Sequence, residues 1–193
     1  MSQIFSNDAP APLERHPWEP FIPEGAKVLI MGTFPPGPHR WSMDFYYPNR
    51  TNDFWKVCGL LFFGSPDALL EGKGYNLPKI KAMLSDRHIA LSDTGRAVRR
   101  LKGNASDKFL EIVEPADLQA LLERMPECRT VATTGEKAAA VIAGITGTEL
   151  PKMGECVTAP DGLRIWRMPS TSRAFPMPLE KKAEYYRRLF LHI

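Results

Sequence analysis

The chain has 193 residues, 44% apolar and 24% charged, with a formal charge of +3. That is enough for one hydrophobic core and too little for two comfortable domains. The mildly basic balance is compatible with a nucleic-acid partner without requiring one. Cys58, Cys128 and Cys156 are isolated from one another, as are His16, His39, His88 and His192, which argues against disulfides, a metal site and an iron–sulfur cluster. With no signal-type N-terminus and no apolar run of membrane length, the expectation is a cytoplasmic protein with no cofactor and no membrane association.

Residues 1–25 form a proline-rich N-terminal arm carrying Pro10, Pro12, Pro17, Pro20 and Pro23. The arm is expected to lie extended over a single domain of residues 26–193, anchored by Trp18 and Phe21, with a disordered start before about residue 15. Four short apolar runs, 27–31, 88–91, 130–133 and 164–167, read as buried strands. Helical patterns occupy 52–63, 77–84, 115–125, 136–143 and 178–191. Pro115 stands at a first-turn position of the third, with Leu118, Leu121 and Leu122 on one face. Strands alternating with helices imply parallel pairing and an α/β layered sandwich.

The segments after the four strands are GTFPPG, SDTG, TTG and MPSTS. In open parallel sheets ligands bind outside the carboxyl ends of the strands, so these loops would converge on one crevice. Strand-to-helix turns also use Gly, Ser and Thr simply for turning and capping. The first loop goes beyond that need. It is long, rigid and crowded with Phe34, Trp41, Phe45, Tyr46, Tyr47, Asn49 and Asn52, a composition suited to a flat ligand such as a nucleobase, with rings to stack on it and amides to read its edges.

Neither GxxxxGK[ST] nor a GxGxxG after a strand is present, which weakens nucleoside-triphosphate and dinucleotide readings. Thr134, Gly135 and Lys137 stand where a helix N-terminus could hold an anion. The run Arg96, Arg99, Arg100 and Lys102, and Arg173 after the fourth strand, could touch phosphates or could form a solvated charged face.

The block GTFPPG followed by YYPNRTNDFW, the MPSTS segment with its terminal amphipathic pattern, and ATTGEKAA together give this chain a resemblance to the uracil-DNA glycosylase superfamily. It looks most like the mismatch-specific and hypoxanthine-type branch. The resemblance implies a three-layer α/β/α sandwich with a central four-stranded parallel sheet. It also implies a base-flipping DNA repair enzyme that removes a deaminated base, uracil or hypoxanthine, and leaves an abasic site. Tyr47 matches the base-stacking aromatic, and Asn52 the Asn that orients water. Thr33 and Phe34 would line the base pocket with Met168. Ser170, Thr171, Ser172 and Arg173 would contact the DNA as the loop enters the duplex. No lysine nucleophile is implied, so a monofunctional enzyme without lyase activity, acting as a monomer on DNA, is expected.

Two positions depart from the family pattern. Phe34 replaces a polar residue of the first motif, and Met168 opens the second motif in place of His or Asn. Neither can activate water, which leaves catalysis to Asn52, with Asp44 as a second catalytic candidate (a general base, or simply a loop cap) and Asn49 as a helper. The same departures motivate an alternative: a non-catalytic DNA- or base-binding paralogue. A third reading is an unrelated small-molecule α/β enzyme sharing only the crevice.

Overall fold

The structure, a computed structural model, describes residues 10–102 and 109–193. In chain order its strands are β1 (Leu13–Arg15), β2 (Val28–Gly32), β3 (Leu70–Glu71), β4 (Gly74–Tyr75), β5 (Ile89–Asp93), β6 (Gly95–Arg100), β7 (Leu110–Pro115), β8 (Thr130–Thr134), β9 (Cys156–Thr158) and β10 (Arg164–Met168). Its helices are α1 (Phe54–Phe63), α2 (Leu77–Asp86), α3 (Leu118–Glu123), α4 (Glu136–Thr146) and α5 (Leu179–Leu191).

The main sheet runs β5-β2-β8-β10-β9. The first four strands are parallel, in registers that set Val28 beside both Ile89 and Thr130, and Ile165 beside Val131. These are the four strands expected from the sequence. The structure adds a fifth, β9, antiparallel on the edge of β10. It is short and only half-buried, so it lacks the continuous apolar run that marks an interior strand.

Alternation along β2 builds both faces of the sandwich. Val28 and Ile30 join Phe54, Trp55, Ile80, Tyr186 and Leu189 of α1, α2 and α5. Leu29 and Met31 join Leu118, Leu121 and Ile142 of α3 and α4. Successive side chains of a strand point to opposite faces, so each parallel strand feeds two cores and the helices form an outer layer on each side. No helix among the described residues is long and apolar enough to cross a membrane.

The helix boundaries follow capping chemistry. α2 starts at Asn76, whose side chain accepts from Lys79 N–H, and α3 at Asp117, which accepts from Ala120 N–H. The third helix therefore begins at Leu118 and not at Pro115, because Pro115 is spent as the last residue of β7, opposite Gly95.

A second sheet, β1-β6-β7, is antiparallel. It absorbs the basic run that suggested phosphate contacts. Arg96 is held by the Trp18 carbonyl and lies near Glu19, Arg99 by Glu111, and Arg100 by Glu14 and the Pro35 carbonyl. The Lys102 ammonium lies over the Phe109 ring. The expected disordered start lies, for residues 1–9, outside the described residues. Residues 13–15 are strand β1, paired Leu13 to Arg99 and Arg15 to Ala97. Further on, Phe21 and Leu91 exchange two backbone hydrogen bonds of 2.9 Å, laying the arm along β5.

Candidate active site

The carboxyl ends of β2, β5, β8 and β10 open into a crevice of about 890 Å³. Its walls come from the first loop, from Asp93 and Thr134, and from residues 170–175.

Tyr47 forms one wall. It has a left-handed backbone (φ 50°), an uncommon conformation outside glycine, which turns the ring out of the line of its neighbours. Phe54 stacks on the ring at 3.9 Å between centroids, with the planes 22° apart. The Tyr47 and Thr134 hydroxyls share a hydrogen bond of 3.2 Å. Burial, and then the negative charge of Asp93, hold the Tyr47 phenol well above the usual tyrosine range, so it remains a neutral hydroxyl. The ring is thus fixed along its edge and on one face.

Asn52 lies just before α1. Its side-chain oxygen accepts from Phe54 N–H at 2.9 Å, an Asx-type turn that starts the helix. Asp53, the cap residue, makes no side-chain cap bond. Its carboxylate instead meets Lys182 of α5 at 2.8 Å, and Lys182 also donates to the Ser172 carbonyl at 3.3 Å. Asp53 N–H donates to the Thr171 carbonyl at 2.8 Å, and the Tyr186 hydroxyl donates to the Pro169 carbonyl at 3.0 Å. These bonds set the fourth loop against Asn52. Within that loop the Ser170 and Ser172 hydroxyls accept from Ser172 N–H and Ala174 N–H.

Ten of the residues singled out from the sequence line this crevice: Thr33, Phe34, Tyr47, Asn49, Asn52, Thr134, Ser170, Thr171, Ser172 and Arg173. Thr33 contributes backbone, its carbonyl accepting from Gly95 N–H. Asp44 is elsewhere: it is exposed, and its carboxylate accepts from Trp18 Nε1 at 2.6 Å. Met168 is fully buried in the core and borders a neighbouring hollow of about 500 Å³ that shares Ser170 and Phe175 with the crevice. Lys137 donates to the Leu110 carbonyl. Arg40 and Arg173 are exposed on the rim, and neither is in an ion pair with a described residue.

Two site residues escaped the sequence reading. Asp93, at the end of β5, lines the crevice floor while only 5% exposed. Its Oδ2 lies 2.9 Å from Nε2 of His16, whose side chain is wholly buried. The SDTG segment hinted at Asp93 as turn chemistry only. Nothing in the sequence links it to a histidine 77 positions earlier. Among the described residues no group of three or more His, Cys, Asp or Glu side chains could hold a metal ion.

No family model matches the chain, and no curated relative matches it. Among solved structures it is similar to the solution structure of a "putative Uracil DNA glycosylase" from Methanosarcina acetivorans, with a TM-score of 0.65 and 23% identity over 93% of this chain and 98% of that one. At that identity the likeness shows the fold: an α/β architecture with a mixed, mainly parallel five-stranded sheet flanked by helices.

Proposed function

We propose that this protein is a monofunctional DNA glycosylase. It takes a deaminated base, uracil or hypoxanthine, out of the stack into the crevice, hydrolyses the N-glycosidic bond and leaves an abasic site. The observation that carries the reading is the Tyr47 platform: an aromatic ring stacked from behind by Phe54, tied at its hydroxyl to Thr134, and set in a crevice at the carboxyl ends of the parallel strands. A base inside a duplex is out of reach of an enzyme, so chemistry on it requires extrusion into such a pocket. The name carried by the Methanosarcina protein points the same way.

The remaining residues take roles consistent with their positions. The loop bearing Ser170, Thr171, Ser172 and Arg173 is clamped to α1 and α5, so it can enter the duplex without collapsing. Arg40 and Arg173, exposed at the rim and in no ion pair with a described residue, would meet phosphates. Asn52 keeps a second lone pair and its amide nitrogen for the attacking water. Positive charge develops on the sugar and negative charge on the base as the bond breaks, and the hydroxyls that line the crevice, Thr134 and Ser170 among them, are the groups that would stabilise the latter. Lys182, held by Asp53 and Ser172, is committed to structure, which supports hydrolysis without a lysine adduct.

Labelled oligonucleotides bearing one uracil, hypoxanthine, xanthine or mispaired thymine, single- and double-stranded, test the proposal. Alkali-dependent cleavage by the wild type, lost in Asn52→Ala, is the expected result. Binding to abasic DNA with no product at excess folded protein would favour the non-catalytic paralogue, the reading that Phe34 and the occupied oxygen of Asn52 support. No salt-dependent DNA binding would remove both.

A further inference from the structure

The N-terminal arm delivers one side chain to the floor of the crevice. Strand β1 pairs with β6, and the next residue, His16, donates its backbone N–H to the Arg96 carbonyl at 2.8 Å. This directs the imidazole inward. The Tyr46 ring stacks on it at 5.5 Å, and Phe34 meets it edge-on at 5.3 Å. Nδ1 lies 2.9 Å from the Trp18 carbonyl and accepts from the Trp18 N–H at 3.2 Å; with Nδ1 as acceptor the ring proton is on Nε2, 2.9 Å from Asp93 Oδ2.

The other oxygen of that carboxylate faces the ligand side. A Cβ built on Gly32 would stand 2.6 Å from Asp93 Oδ1, 3.3 Å from the Tyr47 hydroxyl and 3.5 Å from Thr134 Oγ1. Three polar atoms from three elements therefore converge on one bare stretch of backbone in the crevice. A carboxylate has two equivalent oxygens and can turn about its last torsion. An N–H on one oxygen fixes the plane and leaves the other as an acceptor of set direction.

We propose that His16 is a positioning residue of the crevice: it holds Asp93 so that Oδ1 remains a fixed acceptor for a ring N–H or amino group on the edge of the bound base. The N-terminal arm is thereby a working part of the site. The proposal rests on the glycosylase reading for its ligand class. It selects bases by a donor edge, because a base without one leaves Oδ1 of a buried carboxylate without a donor. The negative charge of Asp93 opposes the charge that grows on the leaving base, so the pair acts on recognition and its loss appears in KM more than in kcat.

The test uses the full chain and fluorescence titration with hypoxanthine, 1-methylhypoxanthine, uracil and 3-methyluracil, the methylated bases lacking the N–H on the pairing edge and keeping only the one at the imidazole or sugar-bearing side. Wild type is expected to bind each parent base at least about tenfold more tightly than its methylated partner. His16→Ala and Asp93→Asn lose most of that ratio. His16→Gln, which keeps an N–H near the place of Nε2, retains it. Circular dichroism establishes that each variant is folded, and if His16→Ala is not, the Gln and Asn variants decide. A folded His16→Ala or Asp93→Asn with the wild-type ratio overturns the proposal, as does equal binding of methylated and parent bases or no binding of any probe. Discrimination without excision of any lesion would remove the glycosylase reading and leave the pair's role standing. Excision with KM unchanged in His16→Ala would do the reverse.

Discussion

Lys182 of α5 and Asp53 at the head of α1 meet at 2.8 Å, with the lysine only 1% exposed. The pair joins the helix behind Tyr47 to the loop that follows β10, since the same ammonium reaches the Ser172 carbonyl. Asp53 also meets Lys56 at 3.3 Å, so losing Lys182 leaves the carboxylate a partner, whereas losing Asp53 strands the lysine in a largely dry place. Asp53→Asn is expected to cost about 3 kcal/mol, read by urea unfolding. The double variant Asp53→Asn, Lys182→Met is expected to recover much of that loss, because the one charge left over, Lys56, is partly exposed to water.

Tyr47 separates stacking from hydrogen bonding. Tyr47→Phe keeps the ring on Phe54 and loses the bond to Thr134, an expected stability cost of about 1 kcal/mol, with excision largely retained. Tyr47→Ala removes the platform and is expected to weaken binding of damaged DNA by about 1–3 kcal/mol. Filter binding with a labelled lesion duplex, alongside thermal melting, distinguishes the two.

Gly32 is bare because the floor needs the space. In Gly32→Ala the new methyl would meet Asp93 Oδ1 at 2.6 Å, and that carboxylate is tethered through its other oxygen to His16. The expected result is a cost of about 1–3 kcal/mol in thermal unfolding, together with a loss of excision larger than that of Tyr47→Phe.

The rim cations should report through salt. Arg40→Ala and Arg173→Ala are each expected to weaken DNA binding across sequences and to lower the slope of log K against log salt by about 1. Arg99→Ala is the control. It is engaged by Glu111 on the second sheet, and its slope should match wild type.

Alkali should unfold the protein through its tyrosines and its buried thiols. Burial pushes the Tyr75 phenol from 10.0 up to about 12, and burial holds Tyr46, Tyr47 and Tyr186 above their ordinary range as well. A phenol raised in the folded state favours folding fully below its unfolded value and loses that contribution as pH climbs. Burial raises the Cys58, Cys128 and Cys156 thiols from 9.0 in the same way, so urea midpoints are expected to hold steady up to about pH 9 and to fall from there to about pH 12.

The interior strands were legible because each is buried on both faces and so reads as a continuous apolar run; β2 is VLIMG and buried throughout. β6 was not legible. Its arginines read as a surface charge run, whereas acidic residues of β1 and β7 pair with them across the ladder. Tyr47 and Asn52 stood out because they stand five positions apart in one loop, in the block YYPNRTNDFW that carries the family resemblance. Met168 misled, since its place after Trp166 puts both on the core face of β10. His16 and Asp93 could not be joined beforehand: only the pairing of the arm with β6 brings them together.

Both margins of the main parallel sheet carry short pieces of the same chain. Cys156–Thr158 runs antiparallel along β10, and at the opposite end Phe21 exchanges hydrogen bonds with Leu91 of β5. A parallel sheet with bare margins is a template for adding strands from other molecules. Here a three-residue antiparallel strand covers one margin and a single bridge at Phe21 engages the other, which shortens the parallel backbone left open to such addition. The proline-rich arm that carries His16 inward is also what denies a neighbouring molecule its first foothold.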